Sequence, residues 1–422
     1  MRETERAGSN KVNQTQSRPG LMPVDLALEK LLADAQVDRA IETIALTQAL
    51  GRVLAQDVHS TVDVPPAPNS AMDGYCFRFQ DYAADKPLPV IQRITAGAVS
   101  APLQAGTAAR IFTGAELPIY ADTVVMQEET VVTENEDEGP LLQILEPPQK
   151  AQNVRPQGQD IALDQRVLKQ GKRLRPQELG LLASIGVDSV KVYKKLRVAI
   201  MSTGDELIEP GQPLQAGQIY NSNRFTLIGL LENLGLEILD LGIVADDLQD
   251  TLRALKRATE ADVIISSGGV SVGDADHVKS ALQQSGDLAF WHLAIKPGKP
   301  FTYGRVAGTP FLGLPGNPAA VFVTFCLLCR PWLLKAQGAD NYAPLSMSVP
   351  AAFSINKPGR RQEYLRARLV PGDNGVHAEI YPNQSSGVLS SASWGNGLVE
   401  IAINTTVGKG DMVRFIPYES FS

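Results

Sequence analysis

The sequence predicts an α/β and β multidomain protein. A doubly wound, mostly parallel α/β sheet is expected beside an inserted β domain, an elongated helical linker domain and a small C-terminal β domain. The chain has 422 residues, more than one compact domain at roughly 150 residues per domain. After residue 196, buried-type strands alternate with amphipathic helices, as in a parallel sheet with helical crossovers. Short β-segments separated by Gly, Pro and Asn or Asp clusters fill 87–144 and recur from 345 onward.

The first part of the chain has a polar start and a helical signature. Residues 1–20 are polar and are expected to form a flexible tail. A helix is predicted with Asp25 as its N-cap, and a shorter helix from Leu46 to Leu54. An extended segment, Val58–Val64, follows. The proline-rich run at 65–68 cannot continue a helix, so it suits a crossing into another domain.

The next segment is β-rich and is flanked by helical stretches. Its predicted strands are Val90–Ile94, Ala108–Phe112 and Thr123–Met126. The acidic run 134–139 is interpreted as a solvated hairpin tip, with a metal site as the less favoured alternative. Residues 175–192 return to a helical pattern, so we expect one β domain inserted into a helical domain.

The α/β region and the C-terminal region complete the prediction. The α/β strands are Arg197–Met201, Glu237–Leu241, Asp262–Ser266, Leu288–His292 and Pro310–Leu314. Its helices are Phe225–Leu234, Leu248–Ala261 and Val278–Ser285. The C-terminal strands are Glu363–Leu369 and Gly397–Ile401. The expected domains are 21–60 with 155–192 (helical), 61–154 (inserted β), 193–338 (α/β) and 339–422 (C-terminal β).

Charge and cysteine content exclude several classes of protein. With 39 basic and 46 acidic residues the net charge is −7, which argues against general nucleic-acid binding. An anionic ligand must therefore meet a local cluster of cations or a bound metal. Three cysteines are too few for a disulfide scaffold and favour a reducing compartment. No signal peptide is visible, so a cytoplasmic location is predicted.

Cys326 and Cys329 form a CxxC pair, which is typical of redox or zinc sites but also fits core packing. Core packing is favoured because the pair lies in an apolar helical run without a second Cys or His pair. The run is expected to end at Arg330-Pro331, too short to span a bilayer.

The candidate site follows from the strand list, because ligands of open α/β sheets bind at the carboxyl ends of the strands. Five loops should face one crevice there: Ser202–Glu206, Asp246-Asp247, Ser267–Asp276, Lys296–Pro300 and Gly313–Pro318.

Two of these loops suit an oxyanion. The Gly-rich segment 268–273 lets backbone N–H groups approach an anion, although glycines also serve tight turns. Lys296 and Lys299 supply cations, and the stiff Pro315–Pro318 turn places Pro318 at a helix start.

Acidic residues also follow these strands: Asp205, Glu206, Asp246, Asp247, Asp274 and Asp276. Carboxylates beside an anionic ligand repel it unless a hard cation such as Mg²⁺ bridges them. Helix capping is the competing interpretation, favoured for Asp246 or Asp247 and for Asp274. No catalytic triad motif, P-loop or GxGxxG fingerprint is evident, and the four histidines are scattered.

Six motifs in order carry a family resemblance. They are Asn69–Tyr75, Arg110–Ala115, Ser202–Leu207, Ser266–Gly273, Ile295–Pro300 and Gly313–Pro318. Together they resemble the molybdopterin molybdenumtransferases, the MoeA family that includes the gephyrin E domain. The resemblance covers the chain from about Leu21 to near its C-terminus.

The resemblance implies an activity and an assembly. The family has four domains, forms an elongated homodimer, and places molybdenum from molybdate on adenylylated molybdopterin with Mg²⁺ present and AMP leaving. The active site would be shared between subunits. A molybdopterin adenylyltransferase is the expected upstream partner, and neither nucleic acid nor membrane is expected as a partner.

The motif matches also imply residue roles. The catalytic positions would be Asp73, Thr113, Glu206, Asp246 and Asp276. The substrate-binding positions would be Ser267, Gly268, Gly269, Ser271, Gly273, Lys296, Lys299, Pro315, Pro318, Arg366 and Ser386. The metal-binding positions would be Asp160, Glu206, Asp246 and Asp276. The chain departs from the family at His292, where a lysine is frequent, and at Gln384–Gly387, where Gln-Gly-Ser is usual.

Two alternatives compete with this function. A molybdopterin adenylyltransferase uses a similar Gly-rich crevice, but those enzymes are single α/β domains without the flanking regions or the motif Met72–Tyr75. A scaffold like the gephyrin E domain is the second alternative. The acidic and basic site residues are retained here, which favours catalysis.

Overall fold

A computed structural model describes residues 20–36, 39–137, 139–268, 281, 284, 286–372 and 375–421. The chain divides into two compact units. We call Thr43–Leu50 with Leu54–Val192 the β-rich unit, and the remaining residues the α/β unit. The domain boundaries within these units stay a prediction.

The chain from residue 41 to residue 193 carries mostly short strands. They are β1 (Ile41–Ala45), β2 (Val58–His59), β3 (Asn69–Ser70), β4 (Gly74–Phe77), β5 (Leu88–Ile94), β6 (Ala108–Ile111), β7 (Thr123–Met126), β8 (Thr130–Asn135), β9 (Gly139–Ile144), β10 (Val154–Arg155), β11 (Arg166–Leu168) and β12 (Ser189–Tyr193).

A six-stranded sheet in the order β7-β4-β6-β5-β9-β8 forms the centre of the β-rich unit. Alternation along β4 sends Cys76 to one apolar cluster and Phe77 to another, so this sheet is buried on both faces. The three strands predicted here are confirmed, and β8 and β9 form the predicted antiparallel hairpin.

Three local predictions for this part of the chain differ from the structure in whole or in part. The helix expected over Leu46–Leu54 is one 3₁₀ turn, Leu46–Gln48, because the chain turns at Gly51 with φ of 75°. Within the extended segment Val58–Val64 only Val58–His59 form a strand, and Val64 forms an isolated antiparallel bridge with Ile161. The helix predicted within 175–192 is present as Pro176–Ser184, but it stops before Gly186, whose φ is 79°, and β12 occupies the end of that range.

The α/β unit contains the second large sheet. Its part of the chain has β13 (Arg197–Thr203), β14 (Leu207–Ile208), β15 (Ile219–Tyr220), β16 (Glu237–Val244), β17 (Val263–Ser267), β18 (Gly286–His292), β19 (Ile295–Lys296), β20 (Pro300–Val306) and β21 (Thr309–Leu314). The helices of this region include Ser222–Asn233 and Leu248–Ala258, and another, Val24–Asp34, precedes it in the chain. That first helix begins one residue before Asp25, after Pro23, so Asp25 lies in its first turn and is not the N-cap.

The sheet order β16-β13-β17-β21-β20-β18 confirms a mostly parallel architecture. The neighbours β16, β13, β17 and β21 are parallel, and β20 is antiparallel to both of its neighbours. Strand β20 was not predicted. Since it alone is reversed, all five predicted strands run in one direction and their carboxyl ends meet at one edge of the sheet.

The helical run after β21 continues further than predicted. It begins at Pro318, as expected, passes through a π-helical segment Phe325–Cys329, and continues as Arg330–Ala336. Pro331 does not end it, because the wider π turn accommodates the proline ring and its missing N–H. Pro318–Ala336 is therefore long and apolar enough to cross a membrane by composition, but 89% of that window is buried inside the protein, as in a core helix.

The last part of the chain is β-rich, as predicted. Its strands are β22 (Met347–Pro350), β23 (Gln362–Gly372), β24 (Gly375–Ile380), β25 (Gly397–Ile401) and β26 (Met412–Pro417), with a short helix Ser390–Trp394. The sheet order is β19-β23-β25-β26-β22, and β24 also pairs with β23. Strand β19 thus joins the loop after β18 to the C-terminal sheet.

Candidate active site

The carboxyl edge of the α/β sheet is lined with small and polar residues. The hydroxyl oxygens of Ser202 on β13 and Ser267 on β17 lie 3.1 Å apart and are buried. Gly268 follows with φ of 86°, and a Cβ there would lie 2.5 Å from the carbonyl oxygen of Thr203. Only glycine fits this turn. The other predicted members of the Gly-rich loop, Gly269, Ser271 and Gly273, and the carboxylates Asp274 and Asp276, lie outside the described residues.

Glu206 lies in the loop after β13 and is exposed. A Cβ on Gly204 would lie 2.6 Å from its Oε2 atom, so its carboxylate occupies the space above that glycine. Glu206 therefore presents an accessible carboxylate at the sheet edge.

In the loop after β16, the adjacent residues Asp246 and Asp247 have different contacts. Asp247 is the N-cap of the helix Leu248–Ala258 and accepts hydrogen bonds from Gln249 and Asp250. The backbone N–H of Asp246 donates to Asp205 Oδ1 at 3.1 Å. Its own Oδ1 atom is buried and has no hydrogen-bond partner among the residues described. The capping role belongs to Asp247, and Asp246 takes no part in the cap.

A cavity of about 240 Å³ opens where the loop after β18 meets the start of the Pro318 helix. Its lining includes Lys296, Lys299, Pro315, Arg361 and Ser386. Four of these are predicted binding residues, and the structure brings them together. Arg361 was not predicted.

The three basic residues of the cavity have different surroundings. Lys296 Nζ lies 3.1 Å from Glu363 Oε2, in an ion pair whose side chains are 43% and 18% exposed. Arg361 donates to the carbonyl oxygen of Ile295 at 3.2 Å. Lys299 is exposed and forms no ion pair within the described part of the chain. The cavity is therefore electropositive, as an anion site requires.

Ser386 closes one side of the cavity through its backbone. Its carbonyl oxygen accepts from the N–H of Ala319 at 3.0 Å, in the first turn of the Pro318 helix. Pro318 begins that helix next to the cavity.

Arg366 lies behind this loop. It is fully buried, and its guanidinium donates to Ser391 Oγ at 2.9 Å and to the Ser385 carbonyl oxygen at 3.1 Å. Burial lowers the pKa of Arg366. It does not line the cavity, so its predicted ligand contact stays a prediction, and its observed contacts hold the Ser385-Ser386 backbone in place.

The β-rich unit contains Asp73 and Thr113, two of the predicted catalytic residues. Asp73 Oδ1 accepts from the backbone N–H and from the hydroxyl of Thr113, both at 2.8 Å. These hydrogen bonds hold the pKa of Asp73 below its ordinary value. The two residues are therefore in direct contact, and their hydrogen bonds favour the ionised carboxylate of Asp73.

Arg110 supports this pair and was not among the predicted site residues. It donates to the Gly74 carbonyl oxygen at 2.9 Å, and its guanidinium lies over the rings of Tyr75 and Phe112 at 5.1 and 4.7 Å. Its charge contributes to lowering the pKa of Asp73. Asp160 is exposed elsewhere in the same unit.

The part of the chain that is described contains no cluster of three or more His, Cys, Asp or Glu side chains placed for a metal ion. The unpartnered Asp246 Oδ1 nevertheless suits a cation, and Glu206 offers a second carboxylate at the same sheet edge. Such a set of two carboxylates fits Mg²⁺, which commonly completes its shell with water and phosphate oxygens.

Comparison with known families matches almost the whole chain. The "MoeA N-terminal region (domain I and II)" matches residues 22–186, the "Probable molybdopterin binding domain" residues 199–335, and the "MoeA C-terminal region (domain IV)" residues 348–418.

Individual proteins give the same result. A molybdopterin molybdenumtransferase of Haemophilus influenzae is 42% identical over 406 residues, 94% of this chain and 99% of the relative. One of a Nostoc species is 38% identical, over 91% and 90% of the two chains. The crystal structure of a molybdopterin biosynthesis moeA protein from Pyrococcus horikoshii superposes with a TM-score of 0.81 at 30% identity, covering 94% of this chain and 100% of the other.

Proposed function

The chain belongs to the MoeA family of molybdopterin molybdenumtransferases, and from this premise we propose how its residues divide the work of molybdenum insertion. It is a transferase of molybdenum cofactor biosynthesis, with molybdopterin and molybdate as substrates. Adenylylated molybdopterin as the form consumed, with AMP as the leaving group, is part of the proposal.

The cavity beside the Pro318 helix is the proposed molybdate site. Molybdate is a tetrahedral dianion, and Lys296, Lys299 and Arg361 line a cavity of about 240 Å³. Lys299, exposed and outside any ion pair described, supplies a cation for the oxyanion at the end of a flexible type of side chain. This concentration of positive charge in a chain of net charge −7 is the observation that carries the proposal.

The loops that carry Glu206, Asp246 and Asp276 are the proposed position of the adenylyl phosphates. Gly268 and Ser267 allow close approach of an oxyanion to the sheet edge. Glu206 and Asp246 would hold Mg²⁺ there, with Asp276 as a further predicted ligand. When bound, Mg²⁺ neutralises phosphate charge and favours departure of AMP. Asp160 remains a predicted metal ligand of the same reaction.

Asp73 and Thr113 are the proposed partners of this crevice from a second subunit of a homodimer. Their hydrogen bonds keep Asp73 ionised, so that carboxylate orients groups by accepting hydrogen bonds and does not donate a proton. A molybdopterin adenylyltransferase is the proposed supplier of the adenylylated substrate. The location is proposed to be the cytoplasm, in line with three buried free cysteines.

Lys299→Met tests the molybdate site. We expect its KM for molybdate to rise about tenfold with little change at saturating molybdate, because one cation is worth roughly 1 kcal/mol or more at a partly exposed site. Lys409→Met, an exposed lysine outside the cavity, is the matched control. A molybdate dependence of Lys299→Met equal to that of the control would refute the assignment.

Mixed dimers test the shared site. At molybdate concentrations well below saturation, where Asp73→Asn and Lys299→Met should each be impaired alone, activity should be regained when their subunits are mixed, because a hybrid dimer has one intact site. No recovery in verified hybrids would place both residues in one subunit's site. The adenylyltransferase and scaffold alternatives are not favoured, since the transferase relatives match the chain along 90% or more of its length.

A further inference from the structure

Glu363 is linked to the proposed molybdate cavity through Lys296. Its Oε2 atom lies 3.1 Å from Lys296 Nζ, and its side chain is 18% exposed. It is not one of the residues that line the cavity. Glu363 therefore acts on a ligand through Lys296 and through its own charge.

The fold holds this carboxylate in place. Lys296 and Glu363 are direct partners in the parallel pairing of β19 with β23. A Cβ on Gly359 would lie 2.7 Å from Glu363 Oε1, so the glycine leaves the space that the carboxylate occupies. The pair is thus fixed by strand register and by a neighbouring backbone, unlike a loose surface ion pair.

The ionisable residues around the cavity have a positive net charge. The lining contains three cations, Lys296, Lys299 and Arg361, and no acidic residue. Glu363 compensates one of the three, since it pairs with Lys296. The lining residues together with Glu363 therefore carry a net charge of +2.

We propose that Glu363 is a specificity-determining residue that sets the charge of the cavity to match a tetrahedral dianion. This inference rests on the proposed molybdate site. Without Glu363 the cavity would carry +3 and would bind all anions more tightly, those of higher charge most of all. Glu363 thereby weakens the competition from more highly charged anions such as pyrophosphate, and it also limits the affinity for molybdate itself.

Glu363→Gln is the first variant to test, because glutamine keeps the hydrogen-bond acceptor for Lys296 and removes only the charge. Titration calorimetry at low salt should show molybdate binding about fivefold tighter than in the wild type and pyrophosphate binding tighter by a larger factor. The control is Glu379→Gln, which removes the acid of the exposed Arg368–Glu379 pair on the same sheet. A purely structural ion pair predicts the opposite: lower thermal stability with unchanged or weaker anion binding.

A double variant provides a second, independent readout. Lys296→Met should weaken molybdate binding. The remaining cations, Lys299 and Arg361, together with Glu363 then give a net charge of about +1. Lys296→Met with Glu363→Gln restores +2 and should regain most of the lost affinity, although Lys296 is absent. This comparison also serves if Glu363→Gln alone does not fold.

The possible outcomes distinguish a failure of the proposed role of Glu363 from a failure of the cavity assignment. If the wild type binds molybdate but Glu363→Gln binds it no more tightly and the double variant recovers nothing, the role of Glu363 is refuted while the cavity assignment stands. If the wild type binds no molybdate and neither lysine variant changes the measured KM, the cavity assignment fails and the inference fails with it.

Discussion

Asp246 and Asp247 are adjacent in the chain but have opposite relations to the helix that follows them. Asp247 Oδ1 accepts from the N–H groups of Gln249 and Asp250 at 2.8 and 3.0 Å. Asp246 takes no part in the cap, and its buried Oδ1 atom accepts no hydrogen bond from any residue the structure describes. Asp247 caps the helix, and Asp246 is the carboxylate that we propose as a Mg²⁺ ligand.

Substitutions at these two positions should therefore have separate effects. Asp247→Ala should lower the free energy of unfolding by about 1 kcal/mol through loss of the cap and leave the Mg²⁺ requirement unchanged. Asp246→Asn should leave stability unchanged or raise it, and should raise the Mg²⁺ concentration needed for activity. Urea unfolding and a Mg²⁺ titration of activity measure the two effects, and the reverse assignment would contradict the proposed roles.

The Asp73–Thr113 hydrogen bonds predict a pH effect with a definite sign. The pKa of Asp73 is lowered in the folded protein, so this contribution to stability is present above the ordinary carboxyl pKa of 3.8 and is lost as the pH falls through the lowered value. Thr113→Val removes the hydroxyl donor and keeps the N–H, so the pKa of Asp73 should rise part of the way back. An NMR titration of the carboxyl carbon measures this. Thr107→Val, which removes an exposed hydroxyl bonded to Gln104, should leave the value unchanged.

Two glycines at the sheet edge should respond differently to alanine. Gly268 has φ of 86°, and a Cβ there meets the Thr203 carbonyl oxygen at 2.5 Å, whereas a Cβ on Gly316 meets only Gly268 Cα at 3.8 Å. Gly268→Ala should cost about 1–3 kcal/mol of stability and abolish insertion, because strain and a clash act together. Gly316→Ala should be tolerated. Chemical denaturation of both variants tests this, and equal stabilities would contradict the described geometry.

Arg366 and Arg368 lie on the same strand and provide a matched comparison. Arg366 is buried and bonds Ser391 and the Ser385 carbonyl oxygen, whereas Arg368 pairs with Glu379 at the surface. Arg366→Met should destabilise the protein by about 2–3 kcal/mol, because it leaves buried acceptors unpaired. Arg368→Met should change stability by about 0.5 kcal/mol or less. Similar losses from the two variants would rule out a positioning role for Arg366.

The three cysteines should be inert in the folded protein. Burial raises the pKa of Cys76 and of Cys326 to about 12 and that of Cys329 further, so thiolate is scarce at neutral pH. A thiol reagent at pH 8 should label none of them without denaturant and all three with it. Fast labelling of the native protein would contradict the core-packing interpretation of the CxxC pair.

The sequence was sufficient for the large α/β elements because their signals are local. Continuous apolar runs predict β13, β16, β17 and β21, and the rule that ligands bind at carboxyl ends places their loops together. Strand β20 escaped prediction because it follows a Lys-Pro-Gly-Lys turn and mixes apolar residues with Thr302, Gly304 and Arg305, so it lacks a continuous apolar run. The helix through Pro331 escaped because a π turn, invisible in hydrophobic periodicity, accommodates the proline.

Among the site residues, some are recognisable from the sequence and others need the structure. Lys296 and Lys299 are recognisable from their motif, but the partner of Lys296 lies 67 residues away, and only the pairing of β19 with β23 reveals it. The choice between Asp246 and Asp247 also needed the structure, since either residue can cap a helix by sequence.

The reversal of strand β20 places a hairpin turn at the edge of the α/β sheet opposite the crevice. Its hairpin with β21 turns at Ala307 and Gly308, both exposed, with φ of 47° and 88°. Since β20 starts at the crevice edge and runs away from it, this turn lies a full strand length from the anion cavity. A cysteine placed at Ala307 would be the accessible thiol in a chain whose own thiols are buried. The turn therefore offers an attachment point for a fluorophore or a surface tether that reports on the enzyme without obstructing its substrates.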